Sequence, residues 1–495
     1  MIVTDRRRVV MAAALGALTP NAFSQAAAAA GRDVIVLIPG ITGSVLEVRG
    51  REVWAPSAQG LVGALLSLGR SLKSLKLQGD PIDRLSLDDG VVATRLIEDV
   101  HLIPGLWKID GYSKLVASVG ALPGVRAQEN FFQFPYDWRR DNRVSAARLQ
   151  TATHDWLKSW RERSGNSDAK LVFLAHSMGG LVARYFVECM EGWKDTRRVI
   201  TFGTPYRGSV KALRSLHEGV GGVVEKLGLF DLSELTRSFT SVYQLLPTYP
   251  CIDDGTSLKR IAEAGAIENV DAVRAAQALT FHRAMDGAVA ANRNDTRFMQ
   301  SPYRLHPVVG VSQDTLQIAS QTGRSLTFLS VYSGEAVEGD GTVLRPSATP
   351  FEAEGLDTEM FVGDTHGTLQ NSDQVVRQVG ALMKAGDVQW TRFRSAEPKA
   401  SLRVPDAVGA FQRIPIEGAI DPGHYSPEVE LAIVEIYSGK TVSTVTAVAG
   451  DSGAFATTTQ GLPAGAYRIR GTFERRVGLE FVERADVICV LPVPT

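Results

Sequence analysis

Three short runs along the chain are apolar almost without interruption: Val34 to Ile38, Leu171 to Leu174 and Val199 to Phe202. Continuous apolar character is what a strand covered on both faces of a parallel sheet requires. Each run ends in small residues, in Pro39-Gly40-Ile41-Thr42-Gly43-Ser44, Ala175-His176-Ser177-Met178-Gly179-Gly180 and Gly203-Thr204-Pro205. Helical periodicity lies between them, over Ser145 to Arg163 and Leu181 to Met190. Buried strands alternating with helices predict an α/β fold with a mostly parallel sheet, spanning 31–388. From 206 to 304 the pattern is largely helical, too long for a simple connection, and predicts a cap inserted over one end of the sheet. Strand signals return at Pro307 to Val311 and at Ser325 to Tyr332. After Trp390 the pattern changes to alternating short strands, such as Val429 to Tyr437, Thr441 to Val448 and Ala466 to Phe473. Turns such as Gly-Asp-Ser-Gly separate them, which predicts a small all-β sandwich over 395–495, joined through the polar stretch Ser395 to Ala400.

The chain begins differently. Arg6-Arg7-Arg8 precede an apolar run from Val9 to Leu18 and an alanine-rich stretch to Ala30, the layout of a signal peptide over 1–30. The run is too short to span a bilayer, and the paired arginines resemble those of a twin-arginine export signal. An exported protein, periplasmic or extracellular, is the expectation. Further on, Leu61, Leu65, Leu68, Leu72 and Leu75 recur at intervals of four and three, so a helix would align them in one stripe with Arg70, Lys73 and Lys76 beside it. Such a stripe can lie on an anionic membrane surface or pack on the protein.

Composition narrows the function classes. The 53 basic and 54 acidic side chains leave a net charge of −1, without the basic excess of a nucleic-acid-binding domain. Three cysteines, at 189, 251 and 489, provide neither a disulfide scaffold nor the paired spacing of a structural zinc site. No metal is expected, and oligomeric state is not readable.

The chemistry is concentrated at Ser177. A strand, a small-x-Ser-x-Gly turn and a helix place a serine hydroxyl at the sheet's carboxyl edge, as in the elbow of α/β hydrolases, with Ala175 in place of the first glycine. A serine alcohol needs a base. In hydrolases of this type the order is serine, acid, histidine. Among eight histidines that order favours those well beyond Ser177. His424 falls in the β module and His306 precedes a strand, so His366, in Gly363-Asp364-Thr365-His366-Gly367-Thr368, is the best candidate. The acid should leave a strand between them. Ser325 to Tyr332 supplies one, followed by Asp340 between two glycines, with Glu335, Glu338 and Asp364 as weaker alternatives. Donors for an oxyanion would be the backbone amides of Met178 and of the Pro39 to Ser44 loop, with Thr42 ahead of Ile41.

These residues also sit in longer matches. Leu37 to Leu46, Trp54, Phe134-Pro135-Tyr136-Asp137-Trp138-Arg139, His176-Ser177-Met178-Gly179, Gly203 to Ser209, Leu245-Leu246-Pro247 and Gly339 to Val343 run in the same order as in one family. The chain resembles the lecithin:cholesterol acyltransferase family, including its phospholipase and phospholipid:diacylglycerol acyltransferase branches. The resemblance implies an α/β-hydrolase fold, with Ser177, Asp340 and His366 as nucleophile, acid and base and Thr42 and Met178 at the oxyanion positions. It implies acyl transfer from a lipid or other acyl ester to an alcohol or water, without a cofactor. Trp54, Leu61, Leu65, Leu68 and Leu72 would then be candidate lipid contacts, with peripheral membrane contact possible. A disulfide pins a lid in secreted animal members, and no cysteine precedes Cys189 here. A triglyceride lipase or carboxylesterase shares the chemistry, and a non-catalytic surface binding or adhesion protein is the alternative from another class.

Overall fold

The computed structural model describes residues 31–54, 72–98, 101–102, 108–219, 233–354, 358–384, 399–436, 438–476 and 481–491. Six strands make the main sheet: β1 (Val34–Ile38), β2 (Phe131–Gln133), β3 (Leu171–His176), β4 (Thr196–Phe202), β5 (Arg304–Gly310) and β6 (Met360–Val362). Their spatial order is β6-β5-β4-β3-β1-β2, and every neighbouring pair is parallel. The expected α/β class is borne out, and β1 shows why its run is apolar throughout. Val34, Val36 and Ile38 enter one core cluster while Ile35 and Leu37 enter the other, and all five are fully buried. Each such side chain contributes about 1.5–3 kcal/mol by leaving water.

Helices cover both faces. α1 is Ser113–Gly120, α2 Asn142–Ser164, α3 Met178–Cys189, α4 Val210–His217, α5 Ala272–Arg293 and α6 Asp373–Lys384. α2 and α5 pack on α3 over one face, and α1 and α6 pair over the other. α2 starts where the Asp141 side chain accepts the Arg143 amide, and it stops at Gly165, whose φ of 68° suits a residue without Cβ.

The structure departs from the sequence reading in four places. β2 and β6 are main-sheet strands of three residues each, too short to leave a periodic signal. Ser325–Leu329 is a strand but not of this sheet. It pairs antiparallel with Ile318–Thr322, which pairs with Ile252–Asp253 in a separate small sheet. Its exposed Ser325 and Thr327 fit a surface sheet, not a doubly covered one. His306, expected before a strand, lies inside β5. Between 206 and 304 the described residues include α4, Ser233–Ser238 and α5, and also the strands Ile252–Asp253 and Leu258–Lys259, so that region is not helical throughout.

The carboxyl-terminal strands are β7 (Ala400–Arg403), β8 (Ala407–Gly409), β9 (Pro415–Ile420), β10 (Tyr425–Glu435), β11 (Thr441–Val448), β12 (Ala454–Thr458), β13 (Gly465–Arg475) and β14 (Phe481–Leu491). They form a three-stranded sheet, β7-β9-β12, and a five-stranded sheet, β8-β14-β13-β10-β11. Leu402, Ile416 and Phe455 from the first share one core with Leu431, Ile469 and Ile488 from the second, which makes the pair a sandwich.

The predicted leader, Leu61, Leu65, Leu68 and most of the polar joining stretch lie outside the described residues. Among the described residues no helix is long and apolar enough to cross a membrane.

Candidate active site

Ser177 stands between β3 and α3 with φ 51° and ψ −124°, a backbone conformation that costs a non-glycine residue about 1–3 kcal/mol. The two residues after Met178 are glycines because nothing larger fits. A Cβ on Gly179 would stand 2.4 Å from the Pro39 carbonyl oxygen, and one on Gly180 would stand 2.0 Å from Thr204 Oγ1. Ala175, fully buried in β3, fills the position of the missing glycine.

His366 follows β6 in a turn, and its Nε2 lies 2.8 Å from Ser177 Oγ. Its Nδ1 lies 2.7 Å from Asp340 Oδ2. Asp340 cannot swing away. Its Oδ1 accepts the amides of Thr342 at 2.9 Å and Val343 at 2.7 Å, and its carbonyl accepts the His366 amide at 2.9 Å. An ionised Asp340 can only accept, so Nδ1 carries the proton and the Nε2 lone pair faces the serine hydroxyl. Serine, aspartate and histidine are 4, 1 and 6% exposed, so the hydrogen-bonded series is shielded from water. Gly203 makes room for it, because a Cβ there would lie 2.7 Å from Asp340 Oδ2 and 3.0 Å from His366 Nδ1.

The strand expected to deliver the acid is therefore replaced by another. Gly310 at the end of β5 packs directly under Asp340, where an added Cβ would come within 2.3 Å of the aspartate's own Cβ. Glu338, Glu335, His424 and His282 are placed away from the serine. Glu338 pairs with Lys399, Glu335 is exposed, His424 pairs with Asp421, and His282 Nε2 meets the Gln244 carbonyl at 2.8 Å.

Opposite the serine, the Gly43 amide bonds the Gly40 carbonyl at 3.0 Å, which closes a turn with Ile41 and Thr42 at its centre. Thr42 has a φ of 63°, and the turn's own hydrogen bond uses neither central amide. Met178, as first residue of α3, has no carbonyl four residues back within the helix. The Phe134 to Arg139 run holds this turn from behind. Tyr136 Oη donates to the Pro39 carbonyl at 3.0 Å, Ser44 Oγ accepts the Tyr136 amide at 3.1 Å, and Trp138 Nε1 donates to the Ser44 carbonyl at 3.0 Å. Fully buried Arg139 binds Asp137 through two nitrogens, Asp89 at 2.8 Å and the Leu75 carbonyl at 3.0 Å.

Two further groups escaped sequence reasoning. His176 Nε2 lies 3.0 Å from the His366 carbonyl, and its Nδ1 lies 2.9 Å from Tyr112 Oη, which in turn accepts the Gly40 amide at 2.8 Å. The carbonyl can only accept, so Nε2 donates and the Tyr112 hydroxyl donates to Nδ1. Burial, reinforced by the neighbouring His366, pushes the His176 imidazole down to about 3, so the ring is neutral. A continuous series thus joins the Gly40 turn to the His366 loop. His176 was visible as the residue before the serine. Tyr112, 64 residues upstream of it, left no signal.

The residues considered for lipid contact are placed otherwise where they are described. Trp54 is 2% exposed, with Nε1 donating to the Thr42 carbonyl at 3.1 Å and its ring against Trp138. Leu72 and Leu75 are 4 and 0% exposed in the main core. These three side chains are buried against the protein, so Trp54, Leu72 and Leu75 present no exposed apolar surface: apolar side chains with a core within reach bury against it. Among the described residues no group of three or more His, Cys, Asp or Glu is arranged to hold a metal ion.

Part of the chain is similar to known proteins. Residues 80–288 match the lecithin:cholesterol acyltransferase family. The resemblance drawn from the motifs is borne out over that stretch. Lysosomal phospholipase A and acyltransferase of Homo sapiens is 31% identical over 116 residues, 23% of this chain and 27% of that protein. Phosphatidylcholine-sterol acyltransferase of Gallus gallus is 33% identical over 118 residues, again 23% and 27%. The chain thus spans about a quarter of the length of these relatives. Among solved structures, the mature form of Bacillus licheniformis lipase BlEst2 aligns with 71% of this chain and 92% of its own, at 14% identity and a TM-score of 0.29, too low to carry any argument.

Proposed function

We propose that the protein is a serine-dependent acyltransferase or acylhydrolase of lipid esters that works through an acyl-enzyme. The observation that carries this reading is the buried series from Ser177 Oγ to His366 to Asp340, at 2.8 and 2.7 Å. His366 Nε2 takes the serine proton as Oγ attacks the ester carbonyl, and Asp340 stabilises the imidazolium that forms. The carbonyl oxygen gains charge beside the Thr42 and Met178 amides, each worth about 3 kcal/mol to the transition state. Collapse of the tetrahedral intermediate expels the alcohol portion of the donor, which receives the proton from His366. Water or a second alcohol then gives its proton to His366, attacks the acyl-serine and carries the acyl group away.

The lecithin:cholesterol acyltransferase match and the names of the relatives support a glycerolipid donor. The arginine-bearing leader supports export. The test is incubation with phosphatidylcholine vesicles, with and without a sterol or long-chain alcohol, followed by identification of the acyl products. Free fatty acid alone would mark a hydrolase, and acylated alcohol a transferase. Ser177→Ala should lower turnover by about 10⁴ to 10⁶. Unchanged turnover in that variant would overturn Ser177 as the nucleophile, and failure of a fluorophosphonate to label Ser177 in the wild type would favour the non-catalytic reading.

A further inference from the structure

The carboxyl-terminal sandwich meets the α/β domain at the loops that carry His366 and Asp340 and at Asp110. Gly363, three residues before His366, lies flush on it: a Cβ there would stand 2.8 Å from Arg484 Nε and 3.0 Å from the Ala400 carbonyl. Arg484, on β14, is 4% exposed, and its Nε donates to the Ala400 carbonyl at 3.1 Å while Nη1 donates to the Glu483 carbonyl at 3.0 Å. The guanidinium therefore joins β14 to β7 and presents a flat face to the histidine loop. On the far side of His366, Thr368 Oγ1 approaches the Ala485 carbonyl at 3.5 Å.

The acid loop is held in the same way. Lys399 pairs with Glu338, two residues before Asp340, and Arg403 Nη1 lies 3.2 Å from Asp314 Oδ2. Next to Asp314, Gln313 ties the two loops together. It exchanges backbone hydrogen bonds with Gly339 at 3.0 and 3.1 Å, and its Nε2 donates to the Gly363 carbonyl at 2.8 Å. A third attachment runs from Arg468 on β13 to buried Asp110, whose amide donates to the Gly367 carbonyl at 2.8 Å and whose own carbonyl accepts Asn371 Nδ2 at 2.7 Å.

A cleft of about 800 Å³ runs along this junction, but its basic and acidic side chains are equal in number and several are paired with one another, so it selects no ligand charge. Its walls are better accounted for as a docking interface. We infer that the sandwich is a clamp for the acid–base half of the site: Arg484, with Arg468 in support, is a positioning residue that sets the His366 loop against Asp340 and Ser177. The inference rests on the serine acyl-transfer reading. A 1 Å displacement of a reacting group can cost about 10²-fold in rate without touching ground-state binding.

The experiment uses the full chain with Arg484→Ala, Arg484→Lys and Arg468→Ala, each compared with wild type for hydrolysis of a soluble p-nitrophenyl ester at temperatures where circular dichroism shows it folded. Expected are a kcat lowered about 10- to 100-fold with KM within about twofold, a parallel fall in the rate of fluorophosphonate labelling of Ser177, and partial recovery in Arg484→Lys. If Arg484→Ala does not fold, the Lys variant and Arg468→Ala carry the test. Wild-type kcat in folded variants, or a loss confined to KM, would overturn the clamp. Loss of the underlying reading is distinguishable, because it would appear in wild type and in Ser177→Ala before any arginine is changed.

Discussion

Tyr112 holds two groups that no other described side chain serves: the Gly40 amide at 2.8 Å and His176 Nδ1 at 2.9 Å. Tyr112→Phe keeps the ring and leaves both unsatisfied in a buried place, which should cost about 1–3 kcal/mol of stability, measurable by urea unfolding. The Gly40 turn is released at the same time, so kcat should fall about tenfold, equivalent to roughly 1.4 kcal/mol. An unchanged rate with lowered stability would limit the tyrosine to a structural role. Gly203→Ala is the sharper change. Its φ of 57° already disfavours a side chain, and the added methyl would press on both partners of the Asp340–His366 hydrogen bond. Ester hydrolysis should fall about 10²-fold or more. The role of neither position could be read from the sequence, because Tyr112 acts over 72 residues and Gly203 looks like the end of any strand.

At the scale of elements, what was legible is what is local. The strand, turn and helix around Ser177 occupy one continuous segment, and each local choice agrees with the others: an apolar run, small residues, then helical spacing. Asp340 was reached through the wrong strand, since Ser325–Leu329 has a fair β pattern but pairs in the small sheet, and the support under the aspartate is Gly310 of β5. Pairing partners are set by contacts distant in sequence, which alternation cannot encode. The Phe134 to Arg139 run is recognisable as a motif, yet its work is visible only in the structure, where it backs the Gly40 turn and anchors the segment around Leu75 and Asp89. Arg139 is fully buried among its carboxylate partners. Arg139→Leu would strand Asp137 and Asp89 without their cation and should cost about 3–5 kcal/mol, read as a lowered urea midpoint. A shift below 1 kcal/mol would place the motif's contribution in its aromatic rings.

Across the whole molecule, burial sets the response to acid. It pushes the imidazoles of His176 and His306 down to about 3 and that of His282 to about 4, with His366 and nearby arginines adding smaller downward pushes and the Gln244 hydrogen bond partly opposing the last. Between about pH 6.5 and 4 the unfolded chain binds protons at these three sites that the folded chain refuses, so stability present above 6.5 is lost as the pH falls. Each site contributes a slope of about 1.4 kcal/mol per pH unit. Asp110 and Glu188, raised by burial, act in the opposite sense and reduce the net slope. The thermal midpoint should therefore fall steadily from pH 7 to 4.5, and His282→Gln should flatten that fall. A midpoint independent of pH over this range would contradict the neutral state of the buried rings.

The serine and its base are separated by 189 residues along the chain. At about 5–20 residues per second, ribosomal synthesis leaves the nucleophile waiting roughly 10–40 s for its histidine, and longer for the sandwich that follows. A nascent chain during that interval has β3, its elbow and its helix but nothing to take the serine proton. The acid and base loops, which lie beyond β5 and β6 and rest against the sandwich, thus make completion of the Ser177 hydrogen-bonded series depend on segments synthesised well after the elbow itself.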